Sequence, residues 1–176
     1  MSFWGNLLGY QLVWLLAVGG AAHGRAWPGV AGACAFVAWQ ALGSAQPLVE
    51  WRLAALAMAC GLAVDGVMAY CVWVRYAAAS PALPPGAPLW IEALWAAFAM
   101  TLNGSLAIAK RHAWLAAVLG GLGAPAAYYA ASGRALTVAE PSWRAWLWLA
   151  AGWAIALPLL AGRARQWSLR AAAGAP

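Results

Sequence analysis

The sequence predicts an all-α protein, a polytopic bundle of about six transmembrane helices. The chain is 66% hydrophobic and only 8% charged, whereas a typical soluble domain is about 25% charged. Apolar segments long enough to span a bilayer recur along its whole length. They are rich in Ala and Leu and do not alternate polar with apolar residues, so we interpret them as helices and not as barrel strands.

The predicted spans leave no room for a soluble domain. Residues 1–162 form a single transmembrane bundle, and residues 163–176 form a short basic cytoplasmic tail. The first apolar run lacks a positive leading region and is too long for a signal peptide, so we expect it to be retained as a span. In chain order the spans are Phe3–Ala22, Trp27–Gln46, Leu53–Val74, Trp90–Ala109, Ala113–Ala131 and Trp143–Ala161.

Tryptophan positions support this assignment. The chain has 14 tryptophans, and this residue is enriched at membrane interfaces because its ring is apolar while its N–H needs a partner. Trp14, Trp39, Trp95 and Trp153 instead fall inside spans, where they either pack against helices or form the wall of an apolar ligand site. Those at or close to a predicted span end are Trp4, Trp27, Trp51, Trp73, Trp90, Trp114, Trp143 and Trp167.

Basic residues predict the orientation, because cytoplasmic loops are enriched in Lys and Arg. With six spans both termini share one side, and that side carries six of the ten basic residues. We therefore expect both termini in the cytoplasm. The basic residues are scattered at the ends of apolar runs, which is not the pattern of a nucleic-acid partner. The six are Arg52, Lys110, Arg111, Arg163, Arg165 and Arg170, and the others are Arg25, Arg75, Arg134 and Arg144.

Asp65 lies near the middle of the third predicted span and is the most informative residue. An ionisable group at that depth is by default a candidate functional residue. A central Asp costs about 2.5–3.5 kcal/mol on insertion scales, and the Leu and Val residues of this span return a similar amount. Gly61 and Ala69 lie on the same helix face and are small enough to admit a neighbouring helix. We therefore expect Asp65 to face protein.

Aligning the spans by their midpoints predicts a polar layer around Asp65. Gln11 and Thr101 fall roughly 2 Å from mid-depth, and Gln40 and Asn103 about 5 Å toward the cytoplasm. The layer either holds helices together, at about 0.6 kcal/mol per hydrogen bond, or lines a cavity for a proton or a ligand headgroup. Since no cation shares its depth, we expect Asp65 to be the neutral acid and to donate to Gln11 or Asn103.

Two further segments contain candidate residues. Pro88 suits a helix start, and Glu92 follows in the first turns, where the helix dipole favours a carboxylate. Alternatively, Glu92, Trp95 and Phe98 line the outer mouth of a cavity. The fifth span combines several glycines with Pro125 and then Tyr128, which predicts tight helix packing and a kink.

Catalytic motifs are missing from the sequence. The two histidines lie at span ends, and no nucleophile elbow, zinc-protease motif or phosphate-binding loop occurs. We expect no metal and no cofactor, and we favour a protein that is not an enzyme.

Four segments resemble an uncharacterised family of small bacterial inner-membrane proteins, defined by a domain of unknown function. The resemblance implies no known activity. Genes of this family tend to lie near genes for lipid-modifying enzymes and oxidoreductases, which favours a role with membrane lipids. The segments are Asn6 with Gln11 and Trp14, Gly61-x-x-x-Asp65, Pro88 to Phe98 with Thr101-Leu102, and Gly123-Ala-Pro125-Ala-Ala-Tyr128.

Three functions fit these observations. The first is an accessory role in membrane-lipid metabolism or envelope stress, with Asp65, Gln11 and Asn103 as a polar centre and membrane lipids as partners. The second is a small transporter with Asp65 as proton carrier, in which Asp65→Asn folds but loses activity. The third is a structural subunit that meets a protein partner, or copies of itself, in the membrane.

Overall fold

The computed structural model describes residues 2–173, and helices make up most of this part of the chain. A helical run from Pro47 to Tyr70 contains one wider π-helical turn, Leu62–Gly66. A short 3-10 turn, Ala107–Lys110, precedes the sixth helix. The helices are α1 Phe3–Ala22, α2 Trp27–Leu42, α3 Pro47–Gly61, α4 Val67–Tyr70, α5 Leu89–Ala99, α6 Ala113–Ala131 and α7 Trp143–Ala173.

Four helical runs are long and apolar enough to cross a membrane, which confirms the all-α class. They are Phe3–Ala22, Pro47–Tyr70, Ala113–Ala131 and Trp143–Ala173. The other two predicted spans are shorter helices than expected. With 16 residues α2 reaches about 24 Å, and with 11 residues α5 reaches about 16 Å, against a hydrocarbon core of about 30 Å.

The fourth predicted span leaves the α-helix after Ala99 because polar side chains compete there for backbone hydrogen bonds. The hydroxyl of Thr101 donates to the carbonyl of Phe98 at 2.7 Å. The side chain of Asn6 donates to the carbonyl of Met100 at 3.0 Å and accepts from the backbone N–H of Ser105 at 2.8 Å. Bonds of this kind replace the helical pattern and turn the chain.

The third span is displaced from its predicted position, and this changes the depth of Asp65. Pro47 starts the helix, as its fixed φ favours, and the helix ends at Tyr70 instead of Val74. Asp65 therefore lies about 7.5 Å from the helix end and not near the middle of the span.

A small β-layer covers the end of the bundle nearest Asp65. β1 Val74–Tyr76 pairs antiparallel with β4 Leu136–Val138, and Tyr76 is opposite Leu136. β2 Ala82–Leu83 pairs with β3 Ala87–Pro88. A methyl group built on Gly66 would lie 2.8 Å from the ring of Pro85, so this hairpin packs directly on the helix beside Asp65.

Both described chain ends lie at the opposite end of the bundle. Asn6 contacts the turn after α5, and the side chain of Gln46 donates to the carbonyl of Ser168 at 3.2 Å. Residues 163–173, interpreted from sequence as a tail, continue α7 without a break.

Two glycines of α6, Gly120 and Gly121, serve close packing on α7, whereas a Cβ on Gly123 would meet no atom within 4 Å. A methyl group on Gly120 would overlap the carbonyl oxygen of Trp153 in α7. α6 is one continuous helix despite Pro125. The short helix α5 is almost wholly buried and packs against α1, α2 and α3, so it is the centre of the bundle.

Candidate functional site

Asp65 is fully buried and accepts hydrogen bonds from three side chains on three different elements. The hydroxyl of Tyr76, from β1, donates to Oδ1 at 2.6 Å. The indole N–H of Trp95, from α5, donates to Oδ2 at 2.7 Å. The hydroxyl of Tyr128, from α6, donates to Oδ1. These three donors satisfy both carboxyl oxygens.

This arrangement differs from the one expected from sequence. We expected Asp65 to donate to Gln11 or Asn103, but in the part of the chain that the structure describes neither forms a hydrogen bond with it. Both carboxyl oxygens instead act as acceptors in the three bonds, and the neutral state of Asp65 stays a prediction. These hydrogen bonds compensate for the burial of the carboxyl group, because the sequence provides no cation at the same depth.

A cavity of about 440 Å³ lies beside Asp65, between α1, α5, α6 and α7. This volume is within the range of small-molecule sites, about 300–1,000 Å³. Its walls are mainly hydrophobic and aromatic, and the lining includes no Asp, Glu, Lys or Arg. The aromatic lining residues are Tyr10, Trp14, Trp90, Trp95, Phe98, Tyr128 and Trp153.

Asp65 does not line this cavity but holds two residues of its wall. Trp95 and Tyr128, which donate to Asp65, both line it. Trp95 stacks on Trp153 with ring centroids 4.0 Å apart and planes 19° apart. Phe98 and Trp153 form a T-shaped pair with ring centroids 4.9 Å apart. Asp65 is therefore a positioning residue for an aromatic wall.

The cavity opens sideways between α1 and α6. Gln11 on α1 and Leu119 on α6 both line it while their side chains remain exposed on the outer surface of the bundle. That outer surface is apolar here, because Leu8, Leu12 and Leu122 are also exposed. Gln11 thus belongs to the mouth of the cavity and not to a polar layer with Asp65.

Glu92 is fully buried, and neither of its carboxyl oxygens has a hydrogen-bond partner within residues 2–173. It occupies the first turn of α5, as expected. Its carboxyl packs against α3, where a methyl group on Gly61 would lie 2.8 Å from both oxygens. Glu92 is not among the residues that line this cavity, whereas Trp95 and Phe98 are.

Asn103 belongs to a separate polar cluster at the other end of the bundle. Its amide donates to Oε1 of Glu50 at 3.1 Å, and its oxygen accepts from the ammonium of Lys110 at 2.8 Å. Ser44 also donates to Oε1 of Glu50, at 3.3 Å. Partial burial lowers the pKa of Lys110, and the nearby Glu50 opposes this effect.

The predicted polar layer therefore does not exist as one group. Thr101 bonds within its own turn, and Asn6 joins α1 to that turn. Of the sequence candidates, the structure brings Asp65, Trp95 and Tyr128 together, with Gln11 and Trp14 on the adjoining cavity.

Sequence reasoning missed Tyr76 and Tyr10. Tyr76 follows the third predicted span in a segment without helical periodicity. It belongs to β1, and the pairing of β1 with β4 holds it in the β-layer. Tyr10 lies in α1 one residue before Gln11, and no motif or spacing in the sequence distinguishes it. In the described residues no group of three or more His, Cys, Asp and Glu side chains could hold a metal ion.

These features define the class as an all-α bundle, with helices that fit a membrane protein and an aromatic cavity beside a buried aspartate. The chain belongs to the family described as "Protein of unknown function (DUF2878)", whose model matches residues 3–159. No curated protein and no solved structure matches it.

Proposed function

We propose that this is an integral membrane protein that binds a lipid in its lateral cavity, in an accessory role in membrane-lipid metabolism or envelope stress. The observation that carries the proposal is the aromatic cavity without charged lining that opens through the apolar outer surface. A hydrocarbon chain could enter such a cavity from the bilayer without passing through water.

The walls of the cavity are held in place before any ligand arrives. Trp95 is fixed by its hydrogen bond to Asp65 and by stacking on Trp153. Tyr128 is fixed by its own bond to the same carboxyl group. Preorganised side chains reduce the entropy cost of binding, which supports a binding site over an accidental gap between helices.

Binding is favoured over catalysis by the chemistry of the lining. No Ser, Cys, His or acid is among the lining residues, so the usual nucleophiles and bases do not face the cavity. We therefore propose a carrier or sensor of lipid and not an enzyme.

The test is native mass spectrometry of the detergent-purified protein, with one variant that narrows the mouth. Gly123 lines the cavity, and a Cβ there would meet no atom within 4 Å. Gly123→Leu should therefore fold and lose the co-purified lipid. Gly19→Leu on α1 is the matched control, since Gly19 also has no atom within 4 Å of its Cβ and does not line the cavity.

The proposal is overturned if the wild-type protein carries no lipid and takes up none when lipid is added. It is also overturned if Gly123→Leu and Gly19→Leu retain lipid equally. A stoichiometric protein partner or a homo-oligomer without lipid would favour the structural-subunit function instead.

We also propose that both termini face the cytoplasm of a bacterial inner membrane. Contacts place both described chain ends at one end of the bundle, and six of the ten basic residues lie on that side in the six-span assignment. Reporter fusions at the two termini should both be active as cytoplasmic reporters, and an external signal from either would contradict this orientation.

Glu92 supports a second candidate function, a small proton-coupled transporter. A buried carboxyl group whose oxygens find no partner among the described residues is the kind of group that transporters use as a proton relay. pH-dependent solute uptake that both Asp65→Asn and Glu92→Gln abolish would establish this function, and uptake that neither variant changes would reject it.

A further inference from the structure

The geometry points to a neutral lipid alcohol as the ligand of the cavity, with its hydroxyl group donating a hydrogen bond to Tyr128. The inference rests on the proposed lipid-binding function and narrows the class of lipid. It follows from the hydrogen bonds that Trp95 and Tyr128 already make and from the hydroxyl of Tyr10, which is free within residues 2–173. The indole N–H of Trp153, another lining residue, is a second donor without a partner among the described residues.

Two donors in the wall cannot serve a ligand. The indole N–H of Trp95 donates to Asp65 at 2.7 Å, and an indole has no other polar hydrogen. Tyr128 also donates its one hydroxyl hydrogen to Asp65. Its oxygen retains acceptor capacity, so toward a ligand Tyr128 acts as an acceptor. By using these two donors, Asp65 leaves an acceptor, the oxygen of Tyr128, at this part of the cavity.

Tyr10 supplies a complementary donor. Tyr10 on α1 lines the same cavity, and its hydroxyl makes no hydrogen bond with any residue from 2 to 173. A phenol can donate and accept. An alcohol oxygen could therefore accept from Tyr10 while its hydrogen is donated to Tyr128. A ketone, ester or ether oxygen could accept from Tyr10 but has nothing to donate to Tyr128.

Charged headgroups fit the cavity poorly. With no Lys or Arg in the lining, a carboxylate or phosphate would be buried in an apolar site without a counter-ion, which is strongly unfavourable. It would also face the oxygen of Tyr128, an acceptor. The aromatic walls accept either a linear or a branched hydrocarbon, so the shared chemistry is an apolar body with one hydroxyl group.

The test measures binding of three probes that share one saturated chain: the long-chain primary alcohol, its methyl ether and the carboxylate. Binding to the detergent-purified, delipidated protein is followed by native mass spectrometry at neutral pH. The alcohol should bind roughly 5- to 10-fold more tightly than the ether, the ratio expected for one hydrogen bond. The carboxylate should bind more weakly than both.

Tyr128→Phe removes the acceptor and should bring the alcohol-to-ether ratio close to one. Tyr129→Phe is the matched control, because Tyr129 is the adjacent residue, is exposed and does not line the cavity. Tyr10→Phe is the second variant, which leaves the bonds of Asp65 intact. Tyr10→Phe should weaken the binding of the alcohol and of the ether by the same factor, so the ratio of their affinities is preserved.

Equal binding of alcohol and ether by the wild-type protein overturns the inference and leaves the lipid-binding function standing. Tighter binding of the carboxylate also overturns it. If none of the three probes binds and Gly123→Leu changes nothing, the proposed function itself fails. These outcomes separate the two proposals.

Discussion

The indole N–H of Trp95 donates to Oδ2 of Asp65 across 2.7 Å. This bond joins the central helix α5 to the π-helical turn that carries Asp65. Such turns are frequent at functional sites. Trp95 also stacks on Trp153, so the carboxylate and the cavity wall form one connected unit.

Removal of the Asp65 carboxyl group should destabilise the fold strongly. Asp65→Ala leaves three donors without an acceptor, and two of them, on Tyr76 and Trp95, are buried. Each unsatisfied buried group costs about 1–3 kcal/mol. Asp65→Asn keeps one oxygen that can accept, so it should lose less. Thermal unfolding in detergent is the measurement. The unfolding temperature should be highest for the wild type, lower for Asp65→Asn and lowest for Asp65→Ala. If Asp65→Ala unfolds at the wild-type temperature, the three bonds are not stabilising.

If the cavity binds lipid as proposed, Trp95→Phe should release it while the bundle stays folded. The change removes the bond to Asp65 and reduces the stacked surface on Trp153. We expect loss of most co-purified lipid in native mass spectrometry. Trp114→Phe is the control, because Trp114 is 67% exposed at the start of α6. Equal lipid retention by the two variants would contradict the role of Trp95 in the wall.

The two buried glutamates should respond oppositely to replacement by leucine. Glu92 has no hydrogen-bond partner among the described residues, so Glu92→Leu removes an unsatisfied polar group and should raise stability by about 1 kcal/mol. Glu50 accepts from Ser44 and Asn103, so Glu50→Leu should lower it by about 1–3 kcal/mol. Apparent unfolding temperatures check both signs. A large loss for Glu92→Leu would instead favour a bound proton or ligand at that residue.

Gly120 and Gly123 should also differ sharply on substitution by alanine. A methyl group on Gly120 overlaps the carbonyl oxygen of Trp153, whereas one on Gly123 meets no atom within 4 Å. Gly120→Ala should force α6 away from α7 and cost more than 1 kcal/mol, in the range of overpacked cores, about 1–3 kcal/mol. Gly123→Ala should be neutral or stabilising, because alanine favours the helix by about 1 kcal/mol. Thermal unfolding of the two variants side by side is the measurement.

Much of the fold follows from composition and apolar run length alone. Helix α1 was predicted with its observed bounds, and so was α6. The fourth span was the failure, since hydropathy alone does not detect that Thr101 and Asn6 draw the backbone out of the helix. The end of the third span was also misplaced, because Val74 is as apolar as a helical residue but pairs with Val138 in a strand.

The sequence selected some members of the candidate site, missed Tyr76 and Tyr10, and did not predict the arrangement. Asp65, Trp95 and Tyr128 were all selected from sequence, yet Asp65 was expected beside Gln11 and Asn103. Mid-depth alignment assumes that every span is straight, continuous and centred in the bilayer. This assumption fails because the third helix is shifted along the chain and the fourth predicted span leaves the helix after α5.

The sequence by itself determined that the chain forms apolar helices and that Asp65 requires compensation, because both follow from the cost of placing polar groups in hydrocarbon. Only the tertiary structure decided how Asp65 is compensated. The donors Tyr76, Trp95 and Tyr128 are 11, 30 and 63 residues away in the chain. No local pattern encodes contacts at such separations, since they arise where helices and a strand pack together. That packing gives Asp65 three hydrogen-bond donors and makes it the support of a cavity wall.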